Sequence, residues 1–276
     1  MIERFIIQEG LYDPGIFKAF FLAGGPGSGK SYVTQRITGG LGLKNVNSDN
    51  AFEKALKKAG LSLDMPPEEE YFRDKVRARS KAITGKSLDM YIQGRLGLVI
   101  DSTARDISKI ETGLAALKRL GYDCHMVFVN TSLEVALARN ASRSRTVPID
   151  IAKKSHAQIQ RNMGKLQMLF GMKNFYVIDN NKANDDVLAK AYKMIAKIVK
   201  KPITNHVAKM WMRKELEKKQ KMREDINIPI KVGDVVKGGK FKNKPIKVKK
   251  IGKNEKGDIT INDKPLLKVR IPNENA

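Results

Sequence analysis

Residues Phe17 to Ser31 read FKAFFLAGGPGSGKS. The apolar run Phe17 to Ala23 has the length and composition of a buried strand, and it passes directly into a glycine-rich turn. That turn, Gly24-Gly25-Pro26-Gly27-Ser28-Gly29-Lys30-Ser31, matches G-x-x-x-x-G-K-[ST] in full, and a helical pattern follows from Lys30 to Gly39-Gly40. Strand, loop and helix in this order predict a phosphate-binding loop. Glycines are needed because the turn must wrap a phosphate closely and aim successive backbone N–H groups inward, while the helix N-terminus adds a favourable dipole. Gly24, Gly25, Pro26, Gly27, Ser28 and Gly29 are therefore expected to cradle ATP. Lys30 would reach its β- and γ-phosphates and Ser31 would hold Mg²⁺.

Outward from this unit the pattern keeps alternating. Strands are expected near Lys44 to Asn47, Leu98 to Asp101, Asp123 to Asn130 and Phe175 to Asp179. Helices are expected after Ser48-Asp49 through Ala59, then over Glu68 to Ala82, Ser87 to Arg95, Ile107 to Leu120, Ser132 to Asn140, Pro148 to Leu169 and Asp185 to Lys200. Five strands with intervening helices predict an α/β fold: a P-loop three-layer sandwich around a five-stranded parallel sheet, with ligands at the strands' C-terminal ends. This domain is expected over 1–202. A helical linker, 203–231, carries Val207, Met210, Trp211 and Lys214 as a stripe at helix spacing. Over 232–276, short β-like runs separated by hairpin-type turns predict a small basic β-barrel of about four strands. It resembles SH3-like or KOW-type barrels in strand pattern and in its Val-Gly-Asp-Val opening.

Composition narrows the class. The 276 residues are 41% hydrophobic and 30% charged, which supports a packed core and excludes a wholly disordered chain. No apolar stretch approaches the roughly 18 to 20 residues of a membrane span, so no membrane partner is expected. The single cysteine, Cys124, cannot form an internal disulfide, and three histidines assemble no familiar zinc spacing. The net charge is +24, and the segment 197–276 alone holds 23 basic and 9 acidic residues. Such clustering suits either a strongly solvated surface or a polyanion such as nucleic acid.

Three further elements point to phosphoryl transfer. Leu98-Val99-Ile100-Asp101 is an apolar strand ending in a carboxylate that can support Mg²⁺ or substrate; capping is the plainer alternative. Asp49 follows the strand after the P-loop helix, beside the expected γ-phosphate position, where a carboxylate can accept a hydroxyl proton; it could instead cap the next helix. Arg139, Arg143 and Arg145 lie in RNASRSRTVP, where small P-loop kinases carry a lid over the transferred group.

With these residues the sequence resembles the zeta-toxin and polynucleotide-kinase group of P-loop kinases. The likeness runs over about residues 15–180 through GGPGSGKS, Asn47-Ser48-Asp49, IDSTARD (100–106) and the stretch from Gly121 to Asp150. It implies that Asp49 is the base toward the acceptor hydroxyl, that Lys30 and Ser31 bind phosphates and Mg²⁺, and that Arg143 closes over the transferred phosphoryl, with Arg139 and Arg145 on ATP. Thr103 and Arg105 are similar to zeta-toxin positions that hold a nucleotide-sugar, whereas Val147-Pro148-Ile149-Asp150 looks like bacteriophage polynucleotide kinases. Phe52 stands where the polynucleotide kinases carry an arginine three residues after the base, and no DxDxT phosphatase motif follows. The resemblance implies a Mg²⁺/ATP-dependent kinase acting on an alcohol group, with the acceptor a nucleic-acid end or nucleotide-like molecule, in a bacterial or virus-infected bacterial cytoplasm. A nucleotide-sugar kinase and a non-catalytic ATP-binding module of a nucleic-acid or virion assembly are the alternatives. Oligomeric state is left open by the sequence.

Overall fold

The computed structural model describes residues 11–63, 66–102, 104–142, 146–182, 185–224, 230–239, 243–254 and 258–270. Two compact units divide the chain between Leu216 and Glu217.

The first unit is built on β1 (Lys18–Ala23), every residue of which is buried. It is followed by α1 (Lys30–Thr38), β2 (Lys44–Val46), α2 (Ser48–Lys58) and α3 (Glu70–Gln93). Then come β3 (Leu98–Asp101), α4 (Ile107–Arg119), β4 (Asp123–Asn130), α5 (Leu133–Ala141), α6 (Ile149–Phe170), β5 (Phe175–Asp179), α7 (Asp185–Val199) and α8 (His206–Glu224), within which the boundary between the units falls. The five strands form one parallel sheet in the order β2-β3-β1-β4-β5. β1 is therefore the switch point, with its sequence successors split to either side, and the crevice beyond its C-terminal end is where such sheets bind ligands.

Alternation along β1 makes the three layers. Ala19, Phe21 and Ala23 join Met126 and Phe128 under Ile110, Leu114 and Leu117 of α4 and Ile159 and Leu166 of α6. Phe20 and Leu22 face the other way, onto Val33 and Ile37 of α1 and Leu188 and Ile195 of α7. A strand covered on both faces must be apolar at every position, which is why this one reads as an unbroken run.

Several local expectations differ from the fold. The two helices expected over 68–95 are one 24-residue helix, α3, which runs through Gly85. A Cβ at Gly85 would meet nothing within 4 Å, so this glycine answers no packing need, and the helix tolerates its cost of about 1 kcal/mol relative to alanine. Phe17 lies outside β1 with φ 58° and packs edge-on against Trp211 at 5.5 Å. In α8, the residues turned inward are Ala208, Trp211, Met212 and Glu215, while Val207 and Met210 of the expected stripe are largely exposed. Ala208 is drawn in because its backbone abuts Gly121, where a side chain would collide. The first turns of the expected linker are thus part of the first unit.

The second unit contains β6 (Val235–Gly238), β7 (Lys244–Lys247), β8 (Ile251–Lys253), β9 (Ile259–Ile261) and β10 (Lys264–Pro265). These form two small antiparallel sheets, β6-β7 and β10-β9-β8. Ile230, Val236, Val248 and Ile261 make its core. The run PIKVKKIG is split between β7 and β8, and Leu266–Lys268 is a single 3₁₀ turn instead of a strand.

Candidate active site

The loop after β1 enters α1 through Gly29, whose φ of 74° is left-handed and whose absent side chain leaves room for the amide of Asn180. No side chain caps α1 and no acidic residue lies in its first turn, so its N-terminal dipole faces the crevice uncompensated. Asn180, buried just beyond β5, donates from Nδ2 to the Ser28 carbonyl at 2.8 Å and fixes the loop from beneath. Arg139 of α5 donates to the carbonyls of Asn180 at 2.7 Å and Asn181 at 3.4 Å, which anchors its guanidinium beside the loop.

Lys30 Nζ lies 2.5 Å from Asp101 Oδ1 and donates to the Ser102 carbonyl at 2.6 Å. Both side chains of the Lys30–Asp101 pair are nearly buried, at 12% and 11% exposure, so their attraction is weakly screened. The other oxygen of Asp101, Oδ2, accepts from Nδ2 of Asn47. Asn47 is also the N-cap of α2: its Oδ1 accepts from the backbone N–H of Asp49 at 2.7 Å and of Asn50 at 3.3 Å. The capping role expected as an alternative for Asp49 therefore falls to Asn47. Asp49 sits inside the first turn with its side chain about half exposed, and its Oδ1 accepts from Arg77 of α3 at 2.6 Å. Residues from β1, β2, β3 and their following elements thus join in one chain, Lys30–Asp101–Asn47–Asp49–Arg77.

This chain lines a cavity of about 650 Å³ together with Gly24, Gly25, Pro26, Gly27, Gly29, Ser31, Arg105 and Arg139. Ser28 is buried and does not line the cavity. Arg105 is presented by a loop in which Ala104 has φ 57°. The buried amide of Asn162 in α6 donates to the carbonyls of both Ala104 and Arg105, at 2.9 and 3.0 Å. Asn140 closes the base of the arginine-bearing segment, donating to the Val147 carbonyl at 2.7 Å and accepting from its N–H at 3.1 Å. Thr103, Arg143 and Arg145 lie outside the described residues.

Asn140, Asn162, Asn180 and Arg77 have no signature in the linear sequence. The asparagines are single amides inside helices or after a strand, and Arg77 is one of several basic residues on α3. Only Asn47 stood next to a recognised element, in Asn47-Ser48-Asp49.

The site as built suits a triphosphate with Mg²⁺. The uncapped α1 terminus and the loop offer N–H donors, Lys30 offers a cation and Ser31 a hydroxyl, and Asp101 supplies a carboxylate beside them. A family model described as an AAA domain matches residues 20–166. Of the curated proteins compared, none matches the sequence. The fold is similar to a gluconokinase from Sinorhizobium meliloti 1021, at 15% identity and TM-score 0.43 over 67% of this chain and 94% of that one. It is similar also to a shikimate kinase from Acinetobacter baumannii, at 18% identity and TM-score 0.40 over 66% and 93%. An AvrRxo1-ORF1:AvrRxo1-ORF2 structure matches at 13% identity and TM-score 0.46 over 64% and 62%.

Proposed function

The chain belongs to the AAA_33 family of P-loop proteins, and from that premise we propose that it is an ATP-dependent phosphotransferase that moves the γ-phosphoryl of ATP onto an alcohol hydroxyl. The observation that carries this reading is the placement of a P-loop lysine and a half-exposed carboxylate, Asp49, on one cavity. A motor or switch needs the first; a kinase needs both.

Lys30 and the loop N–H groups bind and orient the phosphates, and Ser31 and Asp101 are the residues that would hold Mg²⁺. Bound there, Mg²⁺ would supply neutralisation of the phosphate charge. Asp49 positions the acceptor hydroxyl and takes its proton as the oxygen bonds to the γ-phosphorus and the bond to the bridging oxygen of ADP breaks. Arg139 and Arg105 add positive charge along the walls, and Arg143 and Arg145 are assigned to the lid, with Thr103 on the substrate side.

The acceptor we favour is a nucleic-acid end or a nucleotide-like molecule. Support comes from residues 232–276 of the second unit, read as a small basic SH3/KOW-like barrel, where Lys237, Lys244 and Lys247 stand on the paired strands β6 and β7. Such clustered charge suits a polyanion.

The test is transfer from γ-labelled ATP with Mg²⁺ to 5′-hydroxyl DNA and RNA, nucleosides and UDP-N-acetylglucosamine. Asp49→Asn should retain ATP affinity and lose transfer by on the order of 10² to 10⁴, and Lys30→Ala should lose both. ATP binding with no transfer to any acceptor would overturn the kinase reading in favour of a binding module.

A further inference from the structure

A general base gains nothing from an adjacent arginine. A guanidinium at hydrogen-bond distance stabilises the carboxylate and makes it a poorer proton acceptor. Yet Arg77 donates to Asp49 at 2.6 Å, and it arrives from α3, 28 residues away in the chain. Its position is specified: the guanidinium carbon stands 4.7 Å from the centroid of the Phe52 ring, one turn along α2 from Asp49. Phe52 itself is buried, so the ring is a fixed platform.

A guanidinium carries five N–H donors in a planar fork. Among the described residues, Arg77 makes one hydrogen bond, to Asp49, and one ring stack, on Phe52. Arg77 lines the cavity that holds Lys30 and Asp49, and Arg105 lines it too. A guanidinium seated over an aromatic ring, with donors to spare and a carboxylate on one of them, is suited to gripping a phosphate.

Resting on the kinase reading above, we propose that Arg77 is the specificity-determining residue for the acceptor, binding a phosphate group carried by the acceptor alcohol, and that the Arg77–Asp49 pair is a latch which this phosphate opens. In the structure Asp49 is held by Arg77. An acceptor phosphate takes over the guanidinium's donors, the carboxylate is released, and the hydroxyl of the same molecule lies beside it. Alcohols lacking the phosphate meet a base that is still ion-paired, so they are discriminated against in both binding and transfer.

The test uses the full chain saturated with Mg²⁺ and a non-hydrolysable ATP analogue, titrated calorimetrically with two matched pairs: thymidine 3′-monophosphate against thymidine, and UDP-N-acetylglucosamine against N-acetylglucosamine. The wild type is expected to prefer the phosphate-bearing member of at least one pair by about ten-fold to a hundred-fold. Arg77→Ala should abolish that preference, and Arg77→Lys should restore part of it, since lysine keeps the charge without the fork. Unchanged analogue affinity in each variant verifies an intact P-loop. Equal loss for both members of a pair, an unchanged preference in Arg77→Ala, or no preference in the wild type overturns the proposal. Where transfer is measurable, Arg77→Ala should slow phosphate-bearing acceptors and leave phosphate-free ones equal or faster. Absence of transfer in the wild type counts against the kinase reading, while the binding comparison still decides Arg77.

Discussion

The side-chain amide of Asn47 donates to Oδ2 of Asp101, the carboxylate whose other oxygen holds Lys30. Through its carbonyl oxygen Asn47 also caps the helix that carries Asp49. One uncharged residue therefore sets the spacing between the phosphate-binding end of the cavity and the candidate base.

Asn47→Ala should lower stability by about 1 to 2 kcal/mol, through loss of the cap and of a hydrogen bond to a charged group. Asn47→Asp keeps the cap but sets a second carboxylate against Asp101. It should melt closer to the wild type than Asn47→Ala does and yet transfer phosphate no better. Thermal denaturation and single-turnover rates on the two variants check this; equal rates in Asn47→Asp and wild type would remove Asn47 from the site.

The buried amide of Asn180 supports the loop from below through the Ser28 carbonyl. Asn180→Ala should weaken ATP binding by on the order of ten-fold, the cost of an unsatisfied buried acceptor, with a smaller effect on the rate of the bound complex. Titration with a fluorescent ATP analogue, set beside kcat and KM, separates the two. A fall in kcat alone would contradict a loop-positioning role.

At the opposite end of the sheet, Oδ1 of Asp123 lies 3.2 Å from Nε2 of the buried His125, and its Oδ2 accepts from the buried Lys18 at 2.9 Å. The neighbouring His125 is the larger cause, with the Lys18 ammonium next, and together they hold the Asp123 carboxyl well below the usual carboxylate range against the opposing effect of burial. A depressed native value means that the unfolded chain binds the proton first. The stabilisation is complete above about pH 5 and fades as pH falls through the carboxylate range. Asp123→Asn should therefore lower the melting temperature most at neutral pH, and the gap should narrow toward about pH 2. A gap that is constant with pH would show that charge is not the cause.

The P-loop, the five strands of the sheet and the carboxylates Asp49 and Asp101 were legible because each is announced locally. A strand buried on both faces must be apolar throughout, a loop that wraps phosphate must be glycine-rich, and a helix must begin with uncapped donors. Asn47, Arg77, Asn140, Asn162 and Asn180 are of another kind. Each acts on a residue 7 to 152 positions distant, and apart from Asn47, in Asn47-Ser48-Asp49, nothing adjacent in sequence marks it. Phe52 marks the division between the two. Read along the chain it is the absence of an arginine three residues after Asp49, whereas in the fold it is the ring on which the Arg77 guanidinium rests. Local propensity and pattern determine elements and their order, because they depend on period and on backbone freedom. Which charges meet at the cavity depends on how α2 and α3 pack, and that is decided only when the chain is folded.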